Sequence, residues 1–231
     1  MTTTGLDQHR LFAVVRTETP DQALGVSHAL IEAGVRLIEI TLTIHDAIRV
    51  IQTLAHDTAG QPDVVIGAGS VVTVDQARAA IQAGARFLVS PVLRPSLIPI
   101  GQAAGVPVVL GGLTPTEALQ AWEAGAAQVK VFPAGAMGGP GYVKDVLAPL
   151  PFLPIMVSGG VSADNMVAYL KAGARSVALG SSLMPTDLVR RGDWTGLTRH
   201  AQGVVHQLDS AGLPPPARPV VLAEREAGRA G

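Results

Sequence analysis

Residues 31–42 of the chain read IEAGVRLIEITL, and this stretch decides the fold. A segment of small residues that ends in Gly34 is followed closely by a short run rich in leucine and isoleucine. Glycine in this place is the usual left-handed cap of a helix. Short, largely apolar runs are typical of parallel strands that are buried on both faces. The stretch therefore predicts a helix that ends near Gly34 and leads into a buried strand.

The same pattern recurs four more times along the chain. It is found in IQAGARFLVSP (81–91), QAAGVPVVLGG (102–112), WEAGAAQVKVF (122–132) and LKAGARSVALG (170–180). The spacing of its glycines fits one or two steps of about 20 to 25 residues, the length of one β/α unit. We therefore predict eight strands, at residues 11–16, 37–43, 64–70, 87–91, 107–112, 128–133, 154–159 and 176–181, with helices between them.

Several of the intervening segments also carry the signals of a helix start. These are Thr19-Pro20-Asp21, Thr73-Val74-Asp75, Thr114-Pro115-Thr116-Glu117 and Ser162-Ala163-Asp164. Eight alternations of strand and helix favour an α/β fold of one domain, a (β/α)8 TIM barrel. A doubly wound open sheet is the alternative, but it would normally carry a glycine-rich loop after the first strand. VVRTETPDQ (14–22) contains no glycine.

Composition fits such a barrel and argues against other classes. The chain has 231 residues, of which 48% are apolar and only 3% aromatic, so its core must be aliphatic. A net charge of −1 offers no basic excess for a nucleic acid. Without cysteine there is no disulfide, zinc–thiolate site or thiol nucleophile. We see no membrane span and no signal peptide, and we expect a cytoplasmic protein.

The two ends of the chain are expected to lie outside the barrel. We assign residues 1–10 to an N-terminal segment and residues 11–212 to the barrel domain, with a last helix near 193–211. Residues 213–231 combine prolines, charges and glycines, a composition that favours a flexible tail.

Lys130 is the most unusual residue of the predicted strands. Active groups of such barrels lie at the C-terminal ends of strands and point inward. The other two lysines, Lys144 and Lys171, fall on helical stretches where a solvated lysine is ordinary. Lysine is seldom buried without cause, and loss of hydration favours the neutral amine, the nucleophile of Schiff-base chemistry. The alternative is a lysine that forms an internal salt bridge for structural reasons.

Glu39 is the corresponding charge on the second strand. In LIEITLT (37–43), alternation places Glu39, Thr41 and Thr43 on the inner face, and it places Ile38, Ile40 and Leu42 against the helices. A carboxyl group and an amine inside one barrel can exchange protons, so Glu39 is the natural general acid or base. A salt bridge between Glu39 and Lys130 is the structural alternative, and it is compatible with this role.

Other strand ends provide candidates for ligand binding. Arg16 could hold a carboxylate or a phosphate, although an exposed loop arginine explains it equally well. Ser70 follows glycines that would let a ligand approach the backbone, and Pro91 would shape the wall of the mouth. The ends of strands seven and eight are typical of phosphate-binding turns, with ordinary turn chemistry as the alternative. They contain Ser158, Gly159, Gly160, Gly180, Ser181 and Ser182. The six histidines have no metal-ligand spacing, so we expect no metal and no cofactor.

The motifs around these residues resemble the bacterial 2-keto-3-deoxy-6-phosphogluconate (KDPG) aldolase family, whose members are also called 4-hydroxy-2-oxoglutarate (KHG) aldolases. The resemblance runs from about Phe12 to Pro185. Its motifs are AGVRLIEITL around Glu39, VIGAGSVV around Ser70, FLVSP at Pro91, VKVFPA around Lys130, VSGGVSADN and LGSSL. The blocks around Glu39 and Lys130, in this order and at this separation, are the specific ones.

This resemblance implies a class I aldolase and a role for each matched residue. Lys130 matches the Schiff-base lysine and Glu39 the general acid or base. Ser70 matches a position near the pyruvate carboxylate, and Pro91 and Phe132 match residues that line the pyruvyl pocket. The phosphate-binding and distal-specificity region is matched by Ser158, Gly159, Gly160 and Ser182. The implied partners are pyruvate and an aldehyde, and the implied assembly is a homotrimer.

Thr43 departs from the family pattern. Many members carry an arginine in this position, where it holds the substrate carboxylate. Related galactonate-type aldolases use an arginine at the end of strand one instead, which Arg16 matches. The aldehyde therefore stays open between glyceraldehyde 3-phosphate, glyoxylate and others. Two other functions stay open as well: a different phosphate-binding barrel enzyme, such as a thiamine-phosphate-synthase-like protein or an isomerase, and a non-catalytic oligomeric barrel.

Overall fold

The computed structural model describes Leu6 and residues 8–214. Within these residues eight strands form a closed barrel in sequence order, and all neighbouring strands are parallel, including the last and the first. They are β1 (Leu11–Val15), β2 (Leu37–Thr41), β3 (Val65–Gly69), β4 (Leu88–Val89), β5 (Val108–Gly111), β6 (Gln128–Val131), β7 (Ile155–Ser158) and β8 (Ser176–Leu179). The predicted (β/α)8 TIM barrel is confirmed, with strands that end up to two residues earlier than expected.

Nine α-helices accompany these strands in the described part of the chain. They are α1 (Pro20–Glu32), α2 (Ala47–Asp57), α3 (Val74–Gln82), α4 (Ile98–Ala104), α5 (Pro115–Glu123), α6 (Pro140–Leu147), α7 (Met166–Lys171), α8 (Thr186–Arg191) and α9 (Trp194–Asp209). None of these described helices combines the length and the apolar character that crossing a bilayer requires. Much of the expected N-terminal segment, residues 1–5 and 7, and residues 215–231 of the expected tail lie outside the described residues.

Three of the four predicted helix starts are confirmed. Thr19, Thr73 and Thr114 each accept a hydrogen bond from the backbone N–H three residues further on, and the side chain of that residue bonds back to the threonine N–H. The fourth start is wrong. The segment 162–164 lies in a turn that the Asn165 side chain closes by accepting from the Ser162 N–H, and α7 begins after this turn.

The glycines of the repeated pattern end their helices as predicted. All five have positive φ angles between 68° and 106°. A residue with a Cβ atom rarely adopts this conformation, which redirects the chain out of the helix and toward the next strand. These residues are Gly34, Gly84, Gly105, Gly125 and Gly173.

Alternating side chains divide the core into an outer and an inner layer. Ile38 and Ile40 belong to the large outer cluster, which packs between the barrel and its helices. The inner cluster consists of Leu6, Phe12, Leu37, Val65, Phe87, Val89, Val109, Met156 and Ala178. Phe12 and Phe87 meet edge to face within it, with ring centroids 5.5 Å apart. On β2 this cluster includes Leu37, two residues before Glu39, so it forms a packed floor below the C-terminal mouth.

Candidate active site

Lys130 and Glu39 meet inside the barrel. They project inward from β6 and β2, on opposite sides of the eight strands, and Lys130 Nζ lies 3.4 Å from Glu39 Oε1. Only 7% of the lysine side chain and 1% of the glutamate side chain are exposed. Burying either charge would be costly without the other. The arrangement brings a potential nucleophile and a potential proton carrier to one point.

Gly69 makes the room in which the Glu39 carboxyl group lies. A methyl carbon at this position would be 2.6 Å from Cγ and Cδ of Glu39, well inside the contact distance of two carbon atoms. We expected the glycines of strand three to admit a ligand, but Gly69 accommodates Glu39 and Gly67 accommodates the Phe87 ring. Glu39 Oε2 is buried without a hydrogen-bond partner among the described residues. A buried oxygen of this kind is available to a substrate.

The Phe132 ring connects the buried pair with the open mouth. Lys130 Nζ lies 5.9 Å from its centroid, near the outer limit of a cation–π contact. The residue is 46% exposed. Its ring also packs on Gly159, where an added Cβ would lie 2.9 Å away. Phe132 therefore lies between the Lys130 amine and the turn after β7.

A cavity of about 540 Å³ opens at the C-terminal ends of β1, β7 and β8. This volume lies within the range of small-molecule sites. Seven of the predicted binding residues line it: Arg16, Phe132, Ser158, Gly159, Gly160, Gly180 and Ser181. The structure thus brings together the arginine that follows β1 and the glycine-rich turns that follow β7 and β8.

Four predicted binding residues do not line this cavity. Thr43, expected on the inner face, is exposed because β2 ends at Thr41, whose Oγ1 lies 3.0 Å from that of Thr43. Ser70 follows β3 with a φ of 60°, an uncommon value for a residue other than glycine and a kind of strain often found at functional sites. Pro91 is half-buried after β4. Ser182 Oγ is buried and has no hydrogen-bond partner in the described part of the chain.

Helix α8 and its part in the cavity were not predicted from the sequence. Arg190 on α8 and Glu18 in the loop after β1 both line the cavity, and their side chains form an ion pair. We predicted only one helix, near 193–211, after strand eight, whereas the structure has α8 before α9. The segment Pro185-Thr186-Asp187 is a helix-start signal that could have located α8.

The groups available for chemistry here are an amine, a carboxyl group and the hydrogen-bond donors of the cavity. Among the described residues, no set of three or more His, Asp or Glu side chains is close enough to hold a metal ion. An amine that can add to a carbonyl, beside a group that can carry protons, is the minimum for Schiff-base catalysis. Fold and site together define a (β/α)8-barrel enzyme of the class I, Schiff-base kind.

Comparisons with known proteins identify the family. A family model described as "KDPG and KHG aldolase" matches residues 3–200. A probable 2-dehydro-3-deoxy-6-phosphogalactonate aldolase from Rhizobium meliloti is 41% identical over 75% of this chain and 81% of that protein. A 2-dehydro-3-deoxy-phosphogluconate aldolase from Treponema pallidum is 34% identical over 85% of this chain and 92% of that protein. The chain belongs to the KDPG and KHG aldolase family and is a class I aldolase, an aldehyde-lyase.

A solved structure shows the covalent chemistry of one relative. KDPG aldolase from Legionella pneumophila was captured with pyruvate at low pH as a covalent carbinolamine intermediate. It is 28% identical, superimposes with a TM-score of 0.79, and the match covers 88% of this chain and 98% of that one. A carbinolamine is the adduct that precedes a Schiff base. These findings favour the aldolase prediction over the two alternatives left open by the sequence.

Proposed function

We propose that Lys130 forms a Schiff base with the C2 carbonyl of a 2-keto-4-hydroxy acid, which the enzyme cleaves to pyruvate and an aldehyde or forms from them. The observation that carries this proposal is the buried Lys130 amine, 3.4 Å from the Glu39 carboxyl group at the mouth of the barrel. The proposed substrates are KDPG, 4-hydroxy-2-oxoglutarate or a close relative.

Cleavage begins when the neutral Lys130 amine attacks C2 of the keto acid. Glu39 moves the protons that allow the resulting carbinolamine to lose water, which gives a protonated imine. The Glu39 carboxylate then removes the proton of the C4 hydroxyl, directly or through a water molecule. The C3–C4 bond breaks, the aldehyde leaves, and the electron pair stays behind as an enamine. Protonation at C3 and hydrolysis of the imine release pyruvate and restore the amine, so that one difficult cleavage is divided into easier steps.

The carboxylate of the pyruvate half is proposed to bind Arg16 or Ser70. Arg16 lines the cavity, and a guanidinium group can donate two parallel hydrogen bonds to a carboxylate. Thr43 stands where many relatives have an arginine, so Arg16 takes over this role. Pro91 and Phe132 form the walls of the pyruvyl pocket. Fixing the carboxylate fixes the reacting carbons relative to the catalytic pair.

The aldehyde half is proposed to lie in the cavity beside the turns after β7 and β8, which bind its phosphate when the substrate is KDPG. Backbone N–H groups and serine hydroxyls in glycine-rich turns of this fold suit a phosphate. The residues that would bind it are Ser158, Gly159, Gly160, Gly180, Ser181 and Ser182. Glyceraldehyde 3-phosphate is the corresponding product.

We further propose that the enzyme needs no metal, works as a homotrimer and acts in the cytoplasm. A protonated imine supplies the electron sink that a metal ion supplies in other aldolases. Large apolar side chains such as Val92, Met137 and Phe152 are exposed on the single chain, and contact with further copies would cover apolar surface. Homotrimeric assembly is typical of the family.

Borohydride trapping tests the central claim. The protein is incubated with pyruvate and sodium borohydride, and the modified peptide is located by mass spectrometry. A reduced pyruvyl adduct is expected on Lys130 and absent from Lys130→Ala. Lys144 and Lys171 are exposed and serve as internal controls. An adduct that forms only on these two lysines, or no adduct at all, would contradict the Schiff-base role of Lys130.

A further inference from the structure

An ion pair joins α8 to the loop between β1 and α1 beside the cavity. Arg190 Nη2 lies 3.7 Å from Glu18 Oε1, and both residues line the cavity. Their side chains are 68% and 74% exposed. Exposed pairs of this kind are screened by water and add little to stability. The pair can therefore open without loss of the fold.

The charges that line the cavity are unevenly balanced. Arg16 and Arg190 are cationic, and Glu18 is the acidic residue among the described lining residues. The Glu18 backbone N–H is bonded to Gln22 Oε1 at 3.2 Å, so the loop is anchored through its backbone as well as through the ion pair. The Glu18 carboxylate lies beside the Arg190 guanidinium, whose planar donors suit a phosphate as well as a carboxylate. An anionic ligand in the cavity would meet Arg190 with this competitor already in place.

We propose that Arg190 selects an anionic group on the aldehyde half of the substrate, and that Glu18 competes with this group for the same guanidinium. The inference rests on the aldolase function proposed above. A phosphate that enters the cavity displaces the Glu18 carboxylate from Arg190, and Glu18 returns when the aldehyde leaves. An aldehyde with a neutral far end gains nothing from Arg190, because the guanidinium stays paired with Glu18.

Arg191 provides a matched control. Its Nη2 pairs with Asp187 one turn earlier on α8, at 3.1 Å, and it does not line the cavity. Arg190 and Arg191 are both exposed at the end of the same helix, so loss of either removes one positive charge from the same region. A difference between the two variants therefore reports the position of the charge and not the net charge.

The test measures condensation of pyruvate with D-glyceraldehyde 3-phosphate and with D-glyceraldehyde. Arg190→Ala is expected to lower the ratio of kcat/KM for the phosphorylated over the neutral acceptor by about 10-fold, the loss of one charge-assisted contact. Arg191→Ala is expected to leave this ratio unchanged. Glu18→Gln is expected to lower KM for the phosphorylated acceptor by about threefold, as release of an exposed ion pair implies. This gain should vanish in the double variant Glu18→Gln/Arg190→Ala.

Borohydride trapping of pyruvate on Lys130 in every variant separates this inference from the proposed function. A wild-type enzyme that forms no adduct overturns the proposed function, and the inference falls with it. If the adduct forms but the two arginine variants change the acceptor ratio equally, Arg190 has no selective role. If Glu18→Gln gives the same gain with and without Arg190, Glu18 only repels anions, and the competition is refuted.

Discussion

Substitution of Gly69 by alanine should disable the enzyme by displacing Glu39 while the barrel stays folded. The new methyl carbon would lie 2.6 Å from Cγ and Cδ of Glu39. Two carbon atoms in contact prefer a separation of about 3.5 to 4.0 Å, so the carboxyl group must move by about 1 Å. Glu39 is 1% exposed and its Oε1 lies 3.4 Å from Lys130 Nζ, so we expect the shift to take the carboxyl group out of its place near Lys130. A displacement of about 1 Å at a catalytic group can cost about 100-fold in rate.

The assay follows release of pyruvate from KDPG, coupled to NADH oxidation by lactate dehydrogenase, and thermal unfolding is followed by circular dichroism. We expect kcat of Gly69→Ala to fall about 100-fold. The unfolding temperature should fall only moderately, since overpacking at one core position typically costs about 1 to 3 kcal/mol. A Gly69→Ala enzyme that is folded and keeps the wild-type kcat would refute the argument that the position of Glu39 limits the rate.

Two further variants distinguish displacement of Glu39 from general damage. Gly67→Ala adds a methyl group on the same inner face of β3, but this group meets the Phe87 ring at 2.5 Å instead of Glu39. Gly67→Ala should lower the unfolding temperature, while the kcat of the folded enzyme should stay near that of the wild type. Glu39→Asp has a shorter side chain, so adding Gly69→Ala to it should cost much less activity than adding Gly69→Ala to the wild type. Equal costs in the two backgrounds would contradict a direct contact, even where Gly67→Ala fails to fold.

Two other predictions concern stability. Hydrogen bonds from the backbone and side chain of Thr114, and from the backbone of Leu113, lower the pKa of Glu117. The ionised carboxylate therefore stabilises the fold at pH values above the usual glutamate pKa. This contribution is lost as the pH falls through the lowered pKa. Glu117→Gln should keep the helix cap, because Gln22 and Gln76 form the same cap in α1 and α3. In urea unfolding, the difference in free energy of unfolding between wild type and Glu117→Gln should therefore shrink as the pH is lowered. Free energies of the two proteins that run parallel with pH would contradict this. Gly25→Ala would normally favour a helix, but its Cβ would lie 2.5 Å from the Trp194 ring, so we expect a loss of about 1 to 3 kcal/mol. In a Trp194→Ala background, Gly25→Ala should be neutral or stabilising. An equal loss of stability in that background would contradict the steric explanation.

Local chemistry made the barrel predictable. The threonine caps at Thr19 and Thr114 and the glycine caps at Gly34 and Gly125 act within a few residues, so their patterns indicate where helices begin and end. Lys130 was predictable because a charge within a buried strand is rare. Its burial beside Glu39 agrees with the sequence, while the catalytic roles of the two residues stay predictions.

Two of the features that could not be predicted depend on contacts between distant segments. Gly69 accommodates Glu39 because β3 is in register with β2, where Thr41 is paired with Gly69, and no local pattern encodes that register. The misplaced start of α7 has a local cause, because Asn165, and not Ser162, closes the preceding turn. The contribution of α8 to the cavity depends on how the chain folds back over the mouth after β8.

The cavity and the buried Lys130–Glu39 pair are built from different strands at the mouth of the barrel. The amine and carboxyl group come from β6 and β2, whereas the cavity is built mainly from β1, β7, β8 and α8. Under the proposed function, bond breaking and the choice of aldehyde are assigned to different parts of the mouth, which Phe132 connects. A laboratory evolution campaign confined to residues 17–22 and 181–190 could therefore adapt the enzyme to new aldehydes without changing Lys130, Glu39 or the proposed carboxylate-binding Arg16.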